Sequence, residues 1–187
     1  MNFEGKHLRL ITDTHGYEYI ERVATNKAVG IVAVTSDYHL VLIKQHRIPL
    51  DQVVIEIPAG LVGDEQDETV EEAAHRELLE ETGYKAGHMQ HMGDFTLSPG
   101  MSIEIMSVML ATDLERIEEG GGDDNEKIEV ITMPLNGAHK WLKQWTNEEQ
   151  VVDIKVLVGL QIGMFHVSSQ IARQQLDITS FVQKSEK

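Results

Sequence analysis

The sequence of 187 residues contains no cysteine, which excludes disulfides, thiolate nucleophiles and cysteine-bound zinc and fits a reducing compartment, so a cytoplasmic location is expected. Cations are scarce: 16 Lys and Arg stand against 31 Asp and Glu, a formal charge of −15. No basic stripe is available to track a phosphate backbone, and no nucleic-acid partner is expected. No uninterrupted apolar run approaches the roughly 18 residues of a membrane span, and Met1-Asn2-Phe3-Glu4-Gly5 lacks the basic-then-apolar layout of a secretory signal. With 41% apolar residues, the chain reads as one soluble unit over residues 1–187 with a full core and no membrane partner. A small anionic substrate would then depend on a metal and a few placed cations.

What is present begins with strands. Lys6–Leu10 and Tyr17–Val23 read as a first hairpin across the turn Asp13-Thr14-His15-Gly16. Val29–Thr35 and Leu40–Lys44 read as a second hairpin across Ser36-Asp37-Tyr38-His39, and Val53–Ile57 as a short strand stopped by Pro58-Ala59-Gly60. Further strands are expected at Met101–Ala111 and Lys127–Met133, separated by an acidic, glycine-rich surface loop from Glu115 to Glu126. Asn136–Trp145 and Val151 to about Val167 read as helices, and residues 183–187 as a frayed tail. Strands around a central helix, with helices at the end, indicate an α/β chain whose mixed sheet is covered on both faces.

The central helix carries the strongest signal. Thr69 and Glu72 form a capping box and Gly83 a natural stop, so the helix should span Val70–Thr82, burying Val70, Ala73, Ala74 and Leu78. Glu77 and Glu81 share one face, roughly 6 Å apart along the axis, with Glu80 beside them. Like charges at this spacing repel, and the negative helix end before Gly83 disfavours carboxylates. A divalent cation would reverse both effects. Crowded hard oxygen ligands suit Mg²⁺ or Mn²⁺, which also bind phosphate, so a metal-dependent phosphate enzyme is expected.

From Glu68 through Arg76-Glu77-Leu78-Leu79-Glu80-Glu81-Thr82-Gly83-Tyr84 the chain resembles the Nudix box, G-x5-E-x7-R-E-U-x-E-E-x-G-U, where U is bulky and apolar. One departure lies upstream: Gly60 stands two residues further from Glu68 than the motif's spacing allows. Ser98-Pro99-Gly100, with Pro99 fifteen residues past Tyr84, resembles the element of the ADP-ribose pyrophosphatase branch. Gln45-His46-Arg47 and Glu56-Ile57-Pro58-Ala59-Gly60 are similar to that branch's Gln-x-Arg and E-x-P-A-G elements. The resemblance implies a Nudix-type α/β/α sandwich with an N-terminal hairpin. It also implies cleavage of a nucleoside diphosphate sugar into a nucleoside monophosphate and a sugar phosphate. Divalent cations and a homodimer with contacts from residues 1–25 are implied as well.

The same resemblance distributes the roles. Glu77, Glu80 and Glu81, with the Ala59 carbonyl, would hold Mg²⁺, for which Mn²⁺ could substitute. Glu68, Arg76, Gly60 and Gly83 would be structural, Arg76 pairing with Glu68 or Glu80. Arg47 would contact phosphate through its planar fork, with Glu56 and Pro99 in the substrate site. Glu126 would take the proton from the attacking water, with Glu118, Glu119 and Glu129 as alternatives. Tyr17 either stacks on the base or serves packing, and Glu104 would assist sugar or metal binding. ADP-ribose leads as substrate. GDP-mannose is the alternative within the same chemistry, and a non-catalytic ligand-sensing module the alternative outside it.

Overall fold

The computed structural model describes residues 3–63, 67–122, 127–146 and 149–185. An outlying three-stranded sheet, order β1-β2-β3, is built from β1 (Phe3–Glu4), β2 (Leu8–Thr12) and β3 (Glu18–Arg22). The β2–β3 hairpin turns where expected: the Asp13 carboxylate accepts the N–H groups of His15 and Tyr17, and Gly16 takes φ +80°.

The remaining strands form two four-stranded sheets. The first has the order β7-β4-β9-β8, from β4 (Lys27–Ala33), β7 (Ala59–Leu61), β8 (Tyr84–Thr96) and β9 (Ile105–Arg116). The second has the order β10-β5-β6-β11, from β5 (His39–Arg47), β6 (Gln52–Glu56), β10 (Ile128–Pro134) and β11 (Gln150–Val152). Each is mixed, because β4 runs parallel to β9 and β11 parallel to β6. The three helices are α1 (Val70–Thr82), α2 (Ala138–Trp145) and α3 (Ile154–Ser185).

The layers are set by where each side chain is buried. Ala73, Ala74 and Leu78 of α1 meet Val29, Ile31 and Ala33 of β4, Val41 of β5 and Ala111 of β9. Burying Leu78 alone contributes about 2 kcal/mol. On the opposite face Val32, Leu42 and Ile55 meet Ala138 of α2 and Val156 and Leu160 of α3. Helices thus cover both faces of the sheets, an α/β/α sandwich. The capping box on α1 is present in full, with Thr69 and Glu72 exchanging hydrogen bonds, and Gly83 ends the helix at φ 73°.

Several expectations need correction. β4 and β5 do not form a hairpin. They belong to different sheets and touch through one bridge, Val34 to Leu40, because each is buried along nearly its whole length and needs its own neighbours. Strand β8 was not expected, since its glycines, lysine and histidines suit an edge strand with one wet face, and a bulge at His91/Gly93 interrupts it. The strand placed at Met101–Ala111 starts at Ile105 and runs to Arg116. Met101 and Ser102 instead close a turn onto the Ser98 carbonyl, each at 2.9 Å.

Val151 and Val152, expected to open the last helix, belong instead to strand β11, too short for periodicity to separate from the adjoining helix. The helix itself starts at Ile154 and continues past Val167 to Ser185, so the expected tail is helical as far as it is described. By length and composition Ile154–Arg173 is also apolar enough to cross a membrane, which uninterrupted runs did not reveal. Its Val156 and Leu160 are core residues of the sandwich.

Candidate active site

The residues that matter gather where β7, the end of β6 and the last turns of α1 meet. Glu81 is 4% exposed, and its carboxylate accepts the Ala59 N–H at 2.9 Å. Glu77 lies against the backbone of Gly60 so closely that a Cβ there would stand 1.8 Å from its Oε1. Glycine at position 60 is therefore what lets strand and helix approach. A cleft of about 400 Å³ opens at this junction, a size suited to a small ligand.

Around the cleft, Arg47, Glu56, Ala59, Gly60, Glu77, Glu81 and Glu104 stand together. Arg47 is forked onto Glu56 at 2.6 and 3.1 Å. Three contributors went unseen in the sequence. Arg22, the last residue of β3, pairs with Glu104 and brings the N-terminal sheet to the rim. Lys155, in the first turn of α3, pairs with Asp153 and lies 3.9 Å from Glu56. Leu97, from the loop after β8, supplies an apolar edge. Arg22 belongs to the stretch Tyr17–Val23 already read as a strand, but a charged strand end does not distinguish a rim residue from a solvated one. Lys155 carried no signal.

Other candidates lie outside the lining. Tyr17 is 55% exposed, and its hydroxyl donates to the Gly100 carbonyl at 2.8 Å, so it braces the Ser98-Pro99-Gly100 turn. Pro99 shapes that turn without lining the cleft. Glu80 is about half exposed and pairs with Arg76 at 3.2 Å. Glu129 on the edge strand β10 pairs with Lys44 of β5 at 3.1 Å, and Glu118 and Glu119 are exposed. Glu126 lies outside the described residues.

Arg76 gathers the helix's acids. It donates to Glu68 at 2.8 and 3.2 Å, to Glu77 at 2.8 Å, to Glu80 at 3.2 Å and to the Leu61 carbonyl at 3.2 Å. The repulsion expected from the sequence is thus largely offset within the protein. Hydrogen bonds to Glu68, outweighing burial, hold the guanidinium more firmly protonated than usual. In return Arg76, opposed by burial and aided by the Gly63 N–H, holds the Glu68 carboxyl below its ordinary value of 4.5.

A depressed carboxylate stabilises the fold above its unfolded pKa, and that contribution is lost as pH falls through the folded value. The stability gap between the native protein and Glu68→Gln should therefore be full near neutrality and shrink steadily below 4.5. Urea denaturation along a pH series measures it. A gap that did not change with pH would contradict this coupling.

The donor set fits a divalent cation. Four carboxylates, Glu56, Glu77, Glu81 and Glu104, face three cations, Arg22, Arg47 and Lys155, so the cleft is acidic before any anion enters. A diphosphate would meet net repulsion there unless hard cations joined it, and oxygen-only donors suit such ions. Among the described residues no three acidic or histidine side chains are gathered closely enough to hold a metal ion by themselves. Glu77 and Glu81 face the cleft, whereas Glu80 is held outward on Arg76.

This arrangement of a capped acidic helix against a tight strand is that of a defined class: the chain belongs to the NUDIX domain family, which matches residues 24–153. Among its relatives is an ADP-ribose pyrophosphatase of Bacillus subtilis, 38% identical over 135 residues, 72% of this chain and 70% of that protein. A methanol dehydrogenase activator of Bacillus methanolicus is 34% identical with the same coverage. A GDP-mannose pyrophosphatase of Klebsiella pneumoniae is 31% identical over 130 residues, 65% of this chain and 62% of that one. A crystal structure of an ADP compounds hydrolase shares the fold with a TM-score of 0.66, at 24% identity over 87% of this chain and 86% of that one.

Proposed function

We propose that this protein hydrolyses the diphosphate of ADP-ribose or a related nucleoside diphosphate sugar, with Mg²⁺ as its cofactor, giving a nucleoside monophosphate and a sugar phosphate. The observation that carries the reading is the cleft itself, which brings Glu77 and Glu81 together with Arg47 and Lys155. The similarity to the Bacillus subtilis ADP-ribose pyrophosphatase supports the substrate class.

Glu77 and Glu81, with the Ala59 carbonyl, would hold the cation, and Glu80 could swing from Arg76 to join them. Once bound, a divalent ion neutralises phosphate oxygens and lowers the pKa of coordinated water. The chain's own groups orient the substrate. Arg47 offers a fork to phosphate oxygens, and Glu56 keeps that fork in one plane. Lys155 adds a point charge beside the same Glu56. Glu126 would accept the proton of the attacking water as the bridging oxygen departs with the other phosphate.

A homodimer is part of the same reading, supported by the exposed apolar residues Phe3, Leu8 and Leu10 of the N-terminal sheet and by exposed Met101, whose carbonyl accepts the Ile20 N–H. A cytoplasmic location also belongs to it, supported by the lack of cysteine across the sequence.

The test is turnover of a panel of sugar nucleotides at fixed Mg²⁺, with products resolved by chromatography. ADP-ribose should be cleaved to AMP and ribose 5-phosphate. Faster cleavage of GDP-mannose would move the preference towards the substrate named for the Klebsiella relative. The relative named as an activator keeps a non-catalytic module as the second reading. Uptake of metal and sugar nucleotide with no cleavage would favour that reading and overturn the first.

A further inference from the structure

The last carbonyls of a helix have no partners within it, and here they belong to the turn that carries Glu80 and Glu81. They are taken by the segment after β9. The Gly121 N–H donates to the Glu81 carbonyl and the Gly122 N–H to the Glu80 carbonyl, both at 3.0 Å, while the Ile117 N–H reaches the Gly83 carbonyl at 2.9 Å. The glycine-rich stretch expected to be a free surface loop is, up to Gly122, sewn to the end of α1.

The contact is backbone on backbone. A Cβ on Gly83 would stand 2.1 Å from the Glu118 carbonyl oxygen, and one on Gly120 would stand 2.4 Å from the Thr82 carbonyl carbon. Both glycines also hold positive φ, 73° and 72°, so each position excludes a side chain twice over. Arg116 completes the closure. Its guanidinium donates to the Glu118 and Glu119 carbonyls at 3.4 and 3.1 Å and lies over the Tyr84 ring, 5.9 Å from its centre.

We propose that residues 117–122, interlocked through Gly120 and clasped by Arg116, form a strap that positions the metal-binding carboxylates of α1. The inference rests on the metal-dependent reading above. Glu81 is fixed at two points, its main-chain carbonyl by Gly121 and its carboxylate by Ala59. The N–H groups of the strap also answer the negative end of the helix dipole beside two acids. Without the strap the last turn frays, as helix ends do when water is their only partner, and the Glu81 carboxylate loses its place.

The experiment compares Gly120→Ala, Arg116→Ala and Gly137→Ala with the native protein. Mn²⁺ uptake is followed by electron paramagnetic resonance, catalysis as kcat and KM with ADP-ribose, and folding by circular dichroism. Gly137 is the control: at φ 78°, with nothing within 4 Å of its would-be Cβ, it carries the same backbone strain away from the strap. Gly120→Ala should weaken Mn²⁺ binding and lower kcat by roughly 10- to 100-fold, the range for losing a group that orients a metal ligand, with KM changed by less than about threefold. Arg116→Ala should move both in the same direction by a smaller factor, and excess Mn²⁺ should recover part of kcat. Gly137→Ala should match the native protein in both, whatever its melting temperature.

Should Gly120→Ala fail to fold, Arg116→Ala carries the test alone. Folded strap variants whose Mn²⁺ affinity and kcat stay within about twofold of native would overturn the inference while leaving the functional reading intact. A native protein that takes up no Mn²⁺ and cleaves no sugar nucleotide would overturn both.

Discussion

Glu81→Gln is expected to lower kcat for ADP-ribose by roughly a thousandfold, because losing one anionic ligand removes several kcal/mol of stabilisation and each 1.4 kcal/mol is a factor of ten. The fold should survive. Glu81 is nearly fully buried, and its carboxylate accepts the Ala59 N–H, a bond that the amide oxygen of glutamine can also accept. Shape is kept while charge is lost, so this substitution separates chemistry from architecture. Kinetics at saturating substrate, alongside thermal melts with and without Mg²⁺, read both at once. The native protein should gain melting temperature with metal and the variant should gain less. Retention of more than about a tenth of native kcat would mean that Glu81 does not hold the cation.

Arg76→Ala should act on the other side of that divide. Its guanidinium is mostly shielded and is shared among Glu68, Glu77 and Glu80. Deleting it strands Glu68 and Glu77, which are mostly shielded, while the half-exposed Glu80 can turn to water, a loss of about 3 kcal/mol for breaking the shielded part of the cluster. Arg76→Lys should recover only a minor part, since an ammonium cannot span partners on the loop, the helix and the Leu61 carbonyl at once. Urea denaturation at neutral pH measures both variants. A loss under about 1 kcal/mol for the alanine variant would show that the acids relax into solvent. Saturating Mg²⁺ should return some stability to Arg76→Ala, because the exposed acids gain a substitute counter-ion.

The site was legible in the sequence where its chemistry is local. One helix carries the capping box, the arginine and three of the acids, and local spacing is what a sequence displays. Gly60 was legible as part of a motif, and the structure supplies its reason in the Glu77 carboxylate resting on it. Arg22 and Lys155 were not legible, because they reach the cleft from a distant strand and a distant helix, and their neighbours in sequence say nothing of the wall they join. The same limit explains the misread sheet. Val29–Ala33 and Val41–Ile43 are uniformly buried, so no alternation marks which strand each pairs with, and adjacency suggested a hairpin that tertiary packing overrides. The strap was misread for a different reason. Its composition is that of a solvated loop, while its role depends on lacking side chains where another backbone must pass.

The salt bridge between Arg22 and Glu104 reaches beyond the ends of the family match, which starts at residue 24. A truncation at that boundary would keep every strand of both four-stranded sheets yet delete one of three positive charges at the cleft and leave Glu104 without that counter-charge. The unit expected to work is therefore larger than the family match: the outlying hairpin is part of the electrostatic equipment of the pocket as well as an appendage to the sandwich.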